Sequence, residues 1–252
     1  KNNNGAGWNV KYYKGLGTST PKEAKDYFRE LKIVNYSAKH EEDIKAIQLA
    51  FGKTENSADM RKEWLSKYDR NLTLDYNQKL VPVRDFINRD LIHFSTSDNV
   101  RSIPKLMDGL KPSQRKVIYC AFKRNLTKEI RVAQLAGYVS EHGAYHHGEA
   151  SLNGTIVNMA QTFVGSNNIN LLEPIGQFGT RVQGGKDSAQ PRYIHTKLTA
   201  LAHKIFNVND NPLYEYNDDD GLLVEPTTYV PVIPMLLVNG CQGIGTGWSS
   251  DI

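Results

Sequence analysis

The segment from Arg131 to Gly165 reads RVAQLAGYVSEHGAYHHGEASLNGTIVNMAQTFVG. Its apolar residues recur three and four positions apart in two blocks, and residues 143–148 between the blocks contain two glycines. This spacing predicts two amphipathic helices joined by a short turn. The apolar stripe of the first block is formed by Val132, Leu135, Ala136 and Val139, and that of the second by Leu152, Ile156, Met159 and Phe163.

The preceding stretch PSQRKVIYCAFKRNL, residues 112–126, predicts a third amphipathic helix. Three short helices in this order, the last two joined by a tight turn, are typical of a helix-turn-helix core. Glycines then become frequent in IGQFGTRVQGGKDSAQPRY, residues 175–193. This composition favours a loop or wing over a regular element.

A further helix is predicted from Pro191 to Phe206. Its buried stripe is expected to contain Ile194, Leu198, Leu201 and Ile205. On a helical wheel, Tyr193 lies about 100° from the centre of that stripe, so the apolar face does not require it. Its hydroxyl is then available for chemistry. The competing interpretation is an aromatic that packs at the start of a helix, which is what most tyrosines do.

The first third of the chain also predicts helices. Thr20, Pro21 and Glu23 form a capping box at a helix start. Helices follow near residues 41–51 and 58–68, the second capped by Ser57, and a strand is predicted for WNVKYYKG, residues 8–15. Their apolar faces are expected to carry Ile44, Ile47 and Phe51 in the first helix, and Met60, Trp64 and Tyr68 in the second.

Two other segments mark the predicted domain organisation. The periodicity weakens over residues 72–102, which are rich in Asn and Asp, and this predicts a domain boundary. Near the end of the chain, TTYVPVIPMLLVNG, residues 227–240, is a run of strand formers that predicts the opening of a β-containing domain.

Charge is unevenly distributed along the chain. The net charge is +4, but the first 204 residues carry +11 and the remaining residues carry −7. The densest basic stretch contains two acidic residues, Asp108 and Glu129, against eight basic ones: Lys105, Lys111, Arg115, Lys116, Lys123, Arg124, Lys128 and Arg131. This block indicates a polyanion-binding face, although a solvated helix surface explains spread lysines equally well.

Composition excludes several classes of protein. No apolar run approaches the roughly 20 residues that a membrane helix needs, so no membrane partner is expected. The two cysteines, Cys120 and Cys241, lie outside any metal spacing and indicate neither a zinc site nor a disulfide framework. The chain begins without Met or a signal-like segment, and we expect it to be a fragment of something longer.

A tyrosine acts as a nucleophile only when its proton leaves and the charge on its target is neutralised. Arg192, next to Tyr193, supplies a permanent cation whose geometry suits phosphate oxygens. Arg115, His146 and His147 are further donors able to stabilise a pentacoordinate phosphorus. Each of these signals is weak alone, and their joint presence in a basic, winged-helix-like region is what favours phosphoryl chemistry.

The segments KYYKGLGTST, RSIPKLMDGLKPSQRKV, VAQLAGYVSEHGAYHHGEASL, AQTFVGSNNINLLEPIGQFGTR, GGKDSAQPRYIHT and NGCQGIGTGW occur in this order over nearly the whole chain. Together they resemble the DNA-gate region of the eukaryotic type IIA DNA topoisomerases. The resemblance implies an α+β multidomain fragment. Its expected parts are the C-terminal part of a Toprim domain (residues 1–75), a winged-helix DNA-gate domain (76–206) and the beginning of a tower domain (207–252).

The resemblance also assigns roles to single residues. Tyr193 matches the nucleophile that becomes linked to a DNA 5′ phosphate, with Arg192 beside it, and Arg115 and His147 match residues near the scissile phosphate. DNA-binding roles are expected for His146 and Lys111 in the same motifs and for Lys14 in the KGLG turn. Ile244 in GIGTGW matches an isoleucine that wedges between base pairs and bends the duplex.

Cofactors and partners follow from the same resemblance. Such enzymes act on double-stranded DNA as homodimers, in eukaryotes within the nucleus. They use Mg²⁺ and ATP, and the magnesium ligands and the ATPase region are expected outside this chain. No acidic motif precedes Lys14, and NDDDG at residues 217–221 is interpreted as an acidic surface turn, so no residue here is assigned to metal.

Two alternatives remain open from the sequence. The chain by itself fits a non-catalytic winged-helix module that binds DNA. It also fits, less well, a structural protein whose basic face binds an acidic partner.

Overall fold

The computed structural model describes Lys11, Tyr13 and residues 16–252. Most of the strand predicted over residues 8–15, and with it Lys14, lies outside the described residues. The described chain is a mixture of helices and short strand pairs. This agrees with the expected α+β class.

Ten α-helices are present in the described part of the chain. In order they are α1 (Pro21–Arg29), α2 (Glu41–Phe51), α3 (Ser57–Ser66), α4 (Val83–Phe86), α5 (Ile92–Ser102), α6 (Pro112–Lys123), α7 (Val132–His142), α8 (Glu149–Ala160), α9 (Ala200–Ile205) and α10 (Met235–Asn239). A π-helical turn, Ile87–Leu91, joins α4 to α5 without a break, and 3₁₀ turns cover Leu16–Thr18 and Val208–Leu213.

The described strands form four two-stranded pairs. They are β1 (Asn35–Ser37), β2 (Leu80–Pro82), β3 (Ile130–Arg131), β4 (His195–Thr196), β5 (Tyr216–Asp219), β6 (Leu222–Pro226), β7 (Gln242–Ile244) and β8 (Ser249–Asp251). β1 and β2 are parallel, whereas the pairs β3–β4, β5–β6 and β7–β8 are antiparallel.

The predicted three-helix core is confirmed, except that α8 ends at Ala160 and Phe163 of the predicted stripe lies beyond the helix. The stripe residues Val132, Leu135, Ala136 and Val139 of α7 are all fully buried. They share one cluster with Val117 and Ile118 of α6 and with Leu152 and Ile156 of α8. The burial of these aliphatic side chains holds the three helices together, at about 1.5–3 kcal/mol for each side chain.

The N-terminal helices occur where the periodicity places them, but their predicted faces are partly wrong. The capping box of α1 is present, with the Glu23 amide donating to Thr20 Oγ1. Of the predicted residues, Trp64 is buried, Ile47 and Tyr68 pack against the same cluster, and Ile44, Phe51 and Met60 are exposed. The rest of the cluster is Ala46, Leu65, Ile87 and Ile92. The N-cap of α3 is Asn56, because the Ser57 hydroxyl donates to the Thr54 carbonyl.

The helix predicted from Pro191 to Phe206 is wrong. Residues 191–193 form a turn, β4 pairs with β3, and helix begins only at α9, where Thr199 Oγ1 accepts from the Ala202 amide. Ile194, Leu198 and Ile205 are buried as expected, but Leu201 is half exposed. The strand β4 and the short helix α9 together place apolar residues at the spacing expected of one long helix. Thr199, the N-cap of α9, separates the two elements.

The strand predicted over residues 227–240 is also wrong. Its first half has no regular structure, and its second half is the helix α10. Pro231 and Pro234 lack the amide hydrogens that a strand ladder needs, and Pro234 stands directly before the helix. A proline in that position supports a helix start better than a strand.

A buried ion pair joins Asp108, in the loop before α6, to Arg115 on α6, and Asp108 also accepts a hydrogen bond from the segment before α10. Arg115 donates from Nε to Asp108 Oδ2 at 2.7 Å and from Nη2 to Asp108 Oδ1 at 2.8 Å. Arg115 is 2% exposed and Asp108 is fully buried. The Leu110 and Tyr229 amides also donate to Asp108, at 2.9 and 2.8 Å, and Arg115 reaches the Leu110 carbonyl at 2.7 Å.

Removing one partner of this pair should destabilise the helical core strongly. Arg115→Met leaves a buried carboxylate without its counter-ion, and we expect a loss of about 3–5 kcal/mol in the free energy of unfolding. Urea denaturation measures this loss. The control Lys128→Met, at an exposed loop position, should stay within about 0.5 kcal/mol of the parent. Equal effects of the two variants would contradict a structural role for the pair.

Candidate functional site

Tyr193 lies on a turn that is attached to the start of α7. The first amides of a helix have no partners within it. Here the Val132 amide donates to the Ile194 carbonyl at 3.0 Å, and the Ala133 amide donates to the Pro191 carbonyl at 3.1 Å. The turn itself is closed by the Tyr193 amide, which donates to the Gln190 carbonyl at 2.9 Å. The backbone of Tyr193 is therefore fixed by the helix core on both sides.

The side chain of Tyr193 extends away from the core. It is 68% exposed, and the Arg192 guanidinium carbon lies 5.0 Å from the centre of its ring. Because this turn is not helical, the helical-wheel argument fails, although its result, an accessible hydroxyl, is what the structure shows. A cation next to an accessible phenol is an arrangement that binds the oxygens of a phosphate.

The glycine-rich loop before this turn, residues 176–190, is an irregular segment, as the composition predicts. The buried Gln161, directly after α8, donates from Nε2 to the Phe178 carbonyl at 2.8 Å and to the Gly185 carbonyl at 3.3 Å. Thr180 donates from its amide and its hydroxyl to Asp187, both at 2.8 Å. These hydrogen bonds, chiefly that from the Thr180 amide, lower the pKa of the Asp187 carboxyl below its usual range.

A second group of predicted residues lines a cleft of about 490 Å³ at the other end of α7. Charged and imidazole side chains around this cleft are Arg101, Lys111, Lys116, His146, His147 and Asp219. The side chains of His146 and His147 are exposed, and Lys111 is partly exposed. This concentration of basic groups is suited to a DNA backbone.

The acidic hairpin β5–β6 closes one side of this cleft. Asp219 Oδ2 lies 2.9 Å from His146 Nε2. Lys116 Nζ donates to Glu225 Oε2 and to the Gly143 carbonyl, both at 2.7 Å. Asp218 Oδ1 accepts from the Gly221 amide in the hairpin turn. The turn predicted for NDDDG is therefore only partly right, because Asn217, Asp218 and Asp219 belong to β5 and only Asp220 and Gly221 form the turn. Asp219 contributes a carboxylate to the cleft that the sequence interpretation missed.

The predicted catalytic residues do not form one cluster within the chain. Tyr193 and Arg192 lie at the N-terminus of α7, whereas His146 and His147 follow its C-terminus. Eleven helical residues separate the two ends by about 16 Å. Arg115 belongs to neither group, because its guanidinium is buried against Asp108, and its role near the scissile phosphate stays a prediction.

Ile244 protrudes from the hairpin β7–β8 and is 77% exposed. Asn99 on α5 anchors this hairpin, since its Nδ2 donates to the Thr246 carbonyl at 3.0 Å and its Oδ1 accepts from the Thr246 amide at 2.6 Å. A Cβ at Gly245 would collide with Asn99 Oδ1, so a larger residue there would displace the side chain that anchors the hairpin. No sequence signal connects Asn99 to a residue 147 positions away.

No three His, Cys, Asp or Glu side chains among the described residues are grouped so that they can hold a metal ion. Within the same part of the chain, none of the helices combines the length and apolar character that crossing a bilayer demands. Lys14, the remaining predicted DNA-binding residue, lies outside the described residues.

Comparison with known families gives a match along the chain. The family of DNA gyrase and topoisomerase IV A subunits matches residues 101–252, which include α6–α8 and the Tyr193 turn. The chain belongs to the type IIA DNA topoisomerase family. The family described as the C-terminal associated domain of TOPRIM matches residues 1–99.

Individual relatives of the topoisomerase chain support this assignment. DNA topoisomerase 2 of Saccharomyces cerevisiae is 55% identical over 249 residues, which are 97% of this chain and 17% of that protein. Probable DNA topoisomerase 2 of Dictyostelium discoideum is 55% identical over 251 residues, 99% of this chain and 16% of that protein. The chain thus spans about a sixth of the length of these curated relatives.

A solved structure extends the comparison to the fold of the topoisomerase chain. The Plasmodium falciparum topoisomerase II DNA-binding, cleavage and re-ligation domain matches with a TM-score of 0.72 and 52% sequence identity. The match covers 98% of this chain and 34% of that one. The family resemblance predicted from the sequence is confirmed.

In the loop of residues 176–190, replacing Gly185 should destabilise the protein more than replacing its neighbour Gly184. Gly185 has φ +79°, and a Cβ there would collide with the side-chain amide of Gln161, whereas a Cβ at Gly184, with φ +57°, would meet nothing within 4 Å. We expect Gly184→Ala to cost about 1 kcal/mol of unfolding free energy through backbone strain. Gly185→Ala should cost about 1–3 kcal/mol more, because the buried Gln161 amide loses its partners.

Urea denaturation gives the two costs, and amide hydrogen exchange over residues 176–190 shows where the loss is located. Equal costs and equal exchange in the two variants would mean that the Gln161 contact does not determine the conformation of the loop.

Proposed function

We propose that this chain is the part of a type IIA DNA topoisomerase that cuts and rejoins double-stranded DNA through Tyr193. The observation that carries the proposal is the accessible Tyr193 hydroxyl beside Arg192, on a turn fixed to the start of α7. The family assignment and the match to the Plasmodium DNA-binding, cleavage and re-ligation domain support it.

The reaction is a reversible transesterification. The Tyr193 oxygen attacks a backbone phosphorus, a new P–O bond forms to the tyrosine, and the bond from phosphorus to the 3′ oxygen breaks. The phenolic proton is lost and the 3′ oxygen leaves as a hydroxyl, so the 5′ end stays attached to the protein. Attack by the same 3′ hydroxyl restores the DNA and releases Tyr193. One phosphodiester replaces another, so neither step needs an external energy source.

The residues of this chain contribute position and charge. Arg192 binds the phosphate oxygens on which negative charge increases in the transition state. His146, His147 and Lys111 bind the DNA backbone along the cleft at the other end of α7. Arg115 holds the start of α6, from which Lys111 and Lys116 reach that cleft, and acts as a positioning residue.

A homodimer follows from the chemistry, because two strands are cut and each chain provides one such tyrosine. The separation of Tyr193 from His147 along α7 supports the same arrangement, since each DNA strand then contacts the tyrosine end of one copy and the cleft of the other. Ile244 inserts at a base step and bends the duplex.

Further parts of the proposal come from the family. Magnesium stabilises the charge on the reacting oxygens when it is bound, but its ligands are expected outside the described residues. ATP, bound elsewhere in the full-length protein, drives passage of a second duplex, and the protein works in the nucleus. We keep the division into a Toprim part, a winged-helix DNA-gate domain and the beginning of a tower domain. Because Ile87 and Ile92 pack with α2 and α3, the boundary between the first two parts is better placed after Ser102 than after residue 75.

Tyr193→Phe in the full-length protein should abolish the covalent protein–DNA adduct that is trapped by denaturation in the presence of magnesium. The phenyl ring keeps the shape of the side chain but has no attacking oxygen. Tyr76→Phe, at another exposed tyrosine, is the matched control and should form the adduct like the parent. Adduct formation by the Tyr193→Phe protein would refute the assignment of the nucleophile.

Arg192→Ala should slow cleavage by about 10²-fold, the usual cost of one lost transition-state donor. Duplex binding should change much less, because one of many phosphate contacts is removed. Single-turnover cleavage and a salt titration of binding separate the two effects. Duplex binding by the parent without any adduct, with and without magnesium, would instead favour the non-catalytic DNA-binding module.

A further inference from the structure

Two carboxylates of the hairpin β5–β6 contact basic side chains of the cleft at the end of α7. Asp219 on β5 places Oδ1 at 3.1 Å and Oδ2 at 2.9 Å from His146 Nε2. Glu225 on β6 accepts from Lys116 Nζ at 2.7 Å. His146 and Lys116 both line the cleft, to which the proposed function assigns the DNA backbone. The hairpin therefore brings negative charge to a place where that function requires phosphates.

The two contacts differ in how deeply they are buried. Glu225 is 4% exposed and also accepts from Asn217 Nδ2 at 3.2 Å. The side chains of Asp219 and His146 are 30% and 48% exposed, so water reaches this pair. Separating a buried pair costs much more than separating an exposed one. Glu225, paired with Lys116, thus anchors the hairpin, and Asp219 is the contact that a ligand of the cleft can displace.

The backbone of the hairpin sets the position of the Asp219 carboxylate. Asp219 is paired with Leu222 in the β5–β6 ladder. The turn between the strands is closed by the Gly221 amide, which donates to Asp218 Oδ1 at 2.8 Å. A carboxylate on such a support loses little conformational entropy when it occupies the cleft, so it competes well with an anion from solution.

The contact of Asp219 with His146 is of the same kind as a contact between a phosphate and an imidazole. Both anions offer oxygens that accept from an N–H group, and charge strengthens both contacts. His146 Nε2 carries at most one hydrogen, so it donates fully to Asp219 or to a phosphate but not to both. Binding of a phosphate at this nitrogen therefore requires the Asp219 carboxylate to move away.

We propose that Asp219 makes an autoinhibitory contact: its carboxylate occupies the position of a DNA phosphate at His146, and a duplex that binds in the cleft displaces it. The contact lowers the affinity of the cleft for DNA, because it must be broken in each binding event. This inference rests on the proposed function, since it takes the cleft to bind the DNA backbone. It gives the acidic part of the chain, which follows Lys204, a task in that function.

The hairpin also contains a charge-matched control. Asp220, the next residue, is exposed and does not line the cleft. Among the residues that the structure describes, it has no ion-pair partner. Its φ of +52° is a conformation that asparagine adopts as aspartate does. Replacing either aspartate by asparagine removes one negative charge from the same hairpin with little change in shape.

The test measures duplex affinity at a fixed pH in a full-length Tyr193→Phe background, where binding is observed without cleavage. At about 50 mM salt, Asp219→Asn should tighten binding about two- to fivefold, the usual size of an exposed charge interaction. Asp220→Asn should bind like the parent. At about 200 mM salt the gain of Asp219→Asn should be smaller, because salt screens the contact that it removes. Amide exchange over residues 216–226 verifies that the hairpin is intact in both variants.

A double-mutant cycle determines whether Asp219 acts through His146. In a His146→Ala background the carboxylate has no imidazole to occupy, so Asp219→Asn should no longer tighten duplex binding. His146→Ala by itself should weaken binding, because a donor to the DNA backbone is lost. Both side chains are exposed to solvent, so neither replacement leaves an unpaired group in the core.

Equal affinities of the Asp219→Asn and Asp220→Asn proteins would overturn the proposal. Weaker binding by Asp219→Asn would overturn it too, because the carboxylate would then support His146 as a DNA ligand instead of blocking it. A gain that keeps its full size in the His146→Ala background would mean that Asp219 acts through the general charge of the hairpin, which also contradicts the proposal. Failure of the cleavage proposal is detected separately, by an adduct that persists in Tyr193→Phe.

Discussion

The ion pair between Asp108 and Arg115 is the constraint on which the arrangement of the helical core depends. A buried carboxylate is tolerated only when its oxygens are satisfied. Asp108 achieves this by collecting donors from three segments: the guanidinium of α6, the Leu110 amide and the Tyr229 amide. The start of α6, the loop before it and the segment before α10 are thereby held at one point. Lys111 and Lys116 reach the basic cleft from the helix start that this pair fixes.

The helical core was predictable because its pattern is strong and local. α6, α7 and α8 each bury one stripe, so periodicity alone located them. The segment 191–206 was not predictable in the same way. Its apolar residues are buried by a strand pair with Ile130 and Arg131 and by an unrelated short helix, and the pairing partner lies more than sixty positions away. Over residues 227–240, the hydrophobic residues predicted a strand, although Pro231 and Pro234 cannot donate the backbone hydrogen bonds of a β-sheet.

The residues of the candidate site were predictable where they lie close together in the sequence. Tyr193 and Arg192 are neighbours in the chain, and the structure keeps them together on an exposed turn. Residues that support the site were missed because their partners are distant in sequence. Asn99 holds the Ile244 hairpin, Asp219 contacts His146, and Gln161 donates hydrogen bonds to the loop of residues 176–190. The sequence also did not indicate that Arg115, in a motif that suggests phosphate binding, forms an ion pair with a buried carboxylate.

The attachment of the Tyr193 turn to α7 has a mechanical consequence. Two helix amides hold the backbone on either side of the tyrosine, and β3–β4 pairing continues that support. In the proposed reaction, a DNA strand end joined to Tyr193 would move with the whole three-helix core, because moving the tyrosine alone would leave those amides without acceptors. Under the proposed function, the ends of a DNA break would therefore separate only when one whole helical core moves relative to the other.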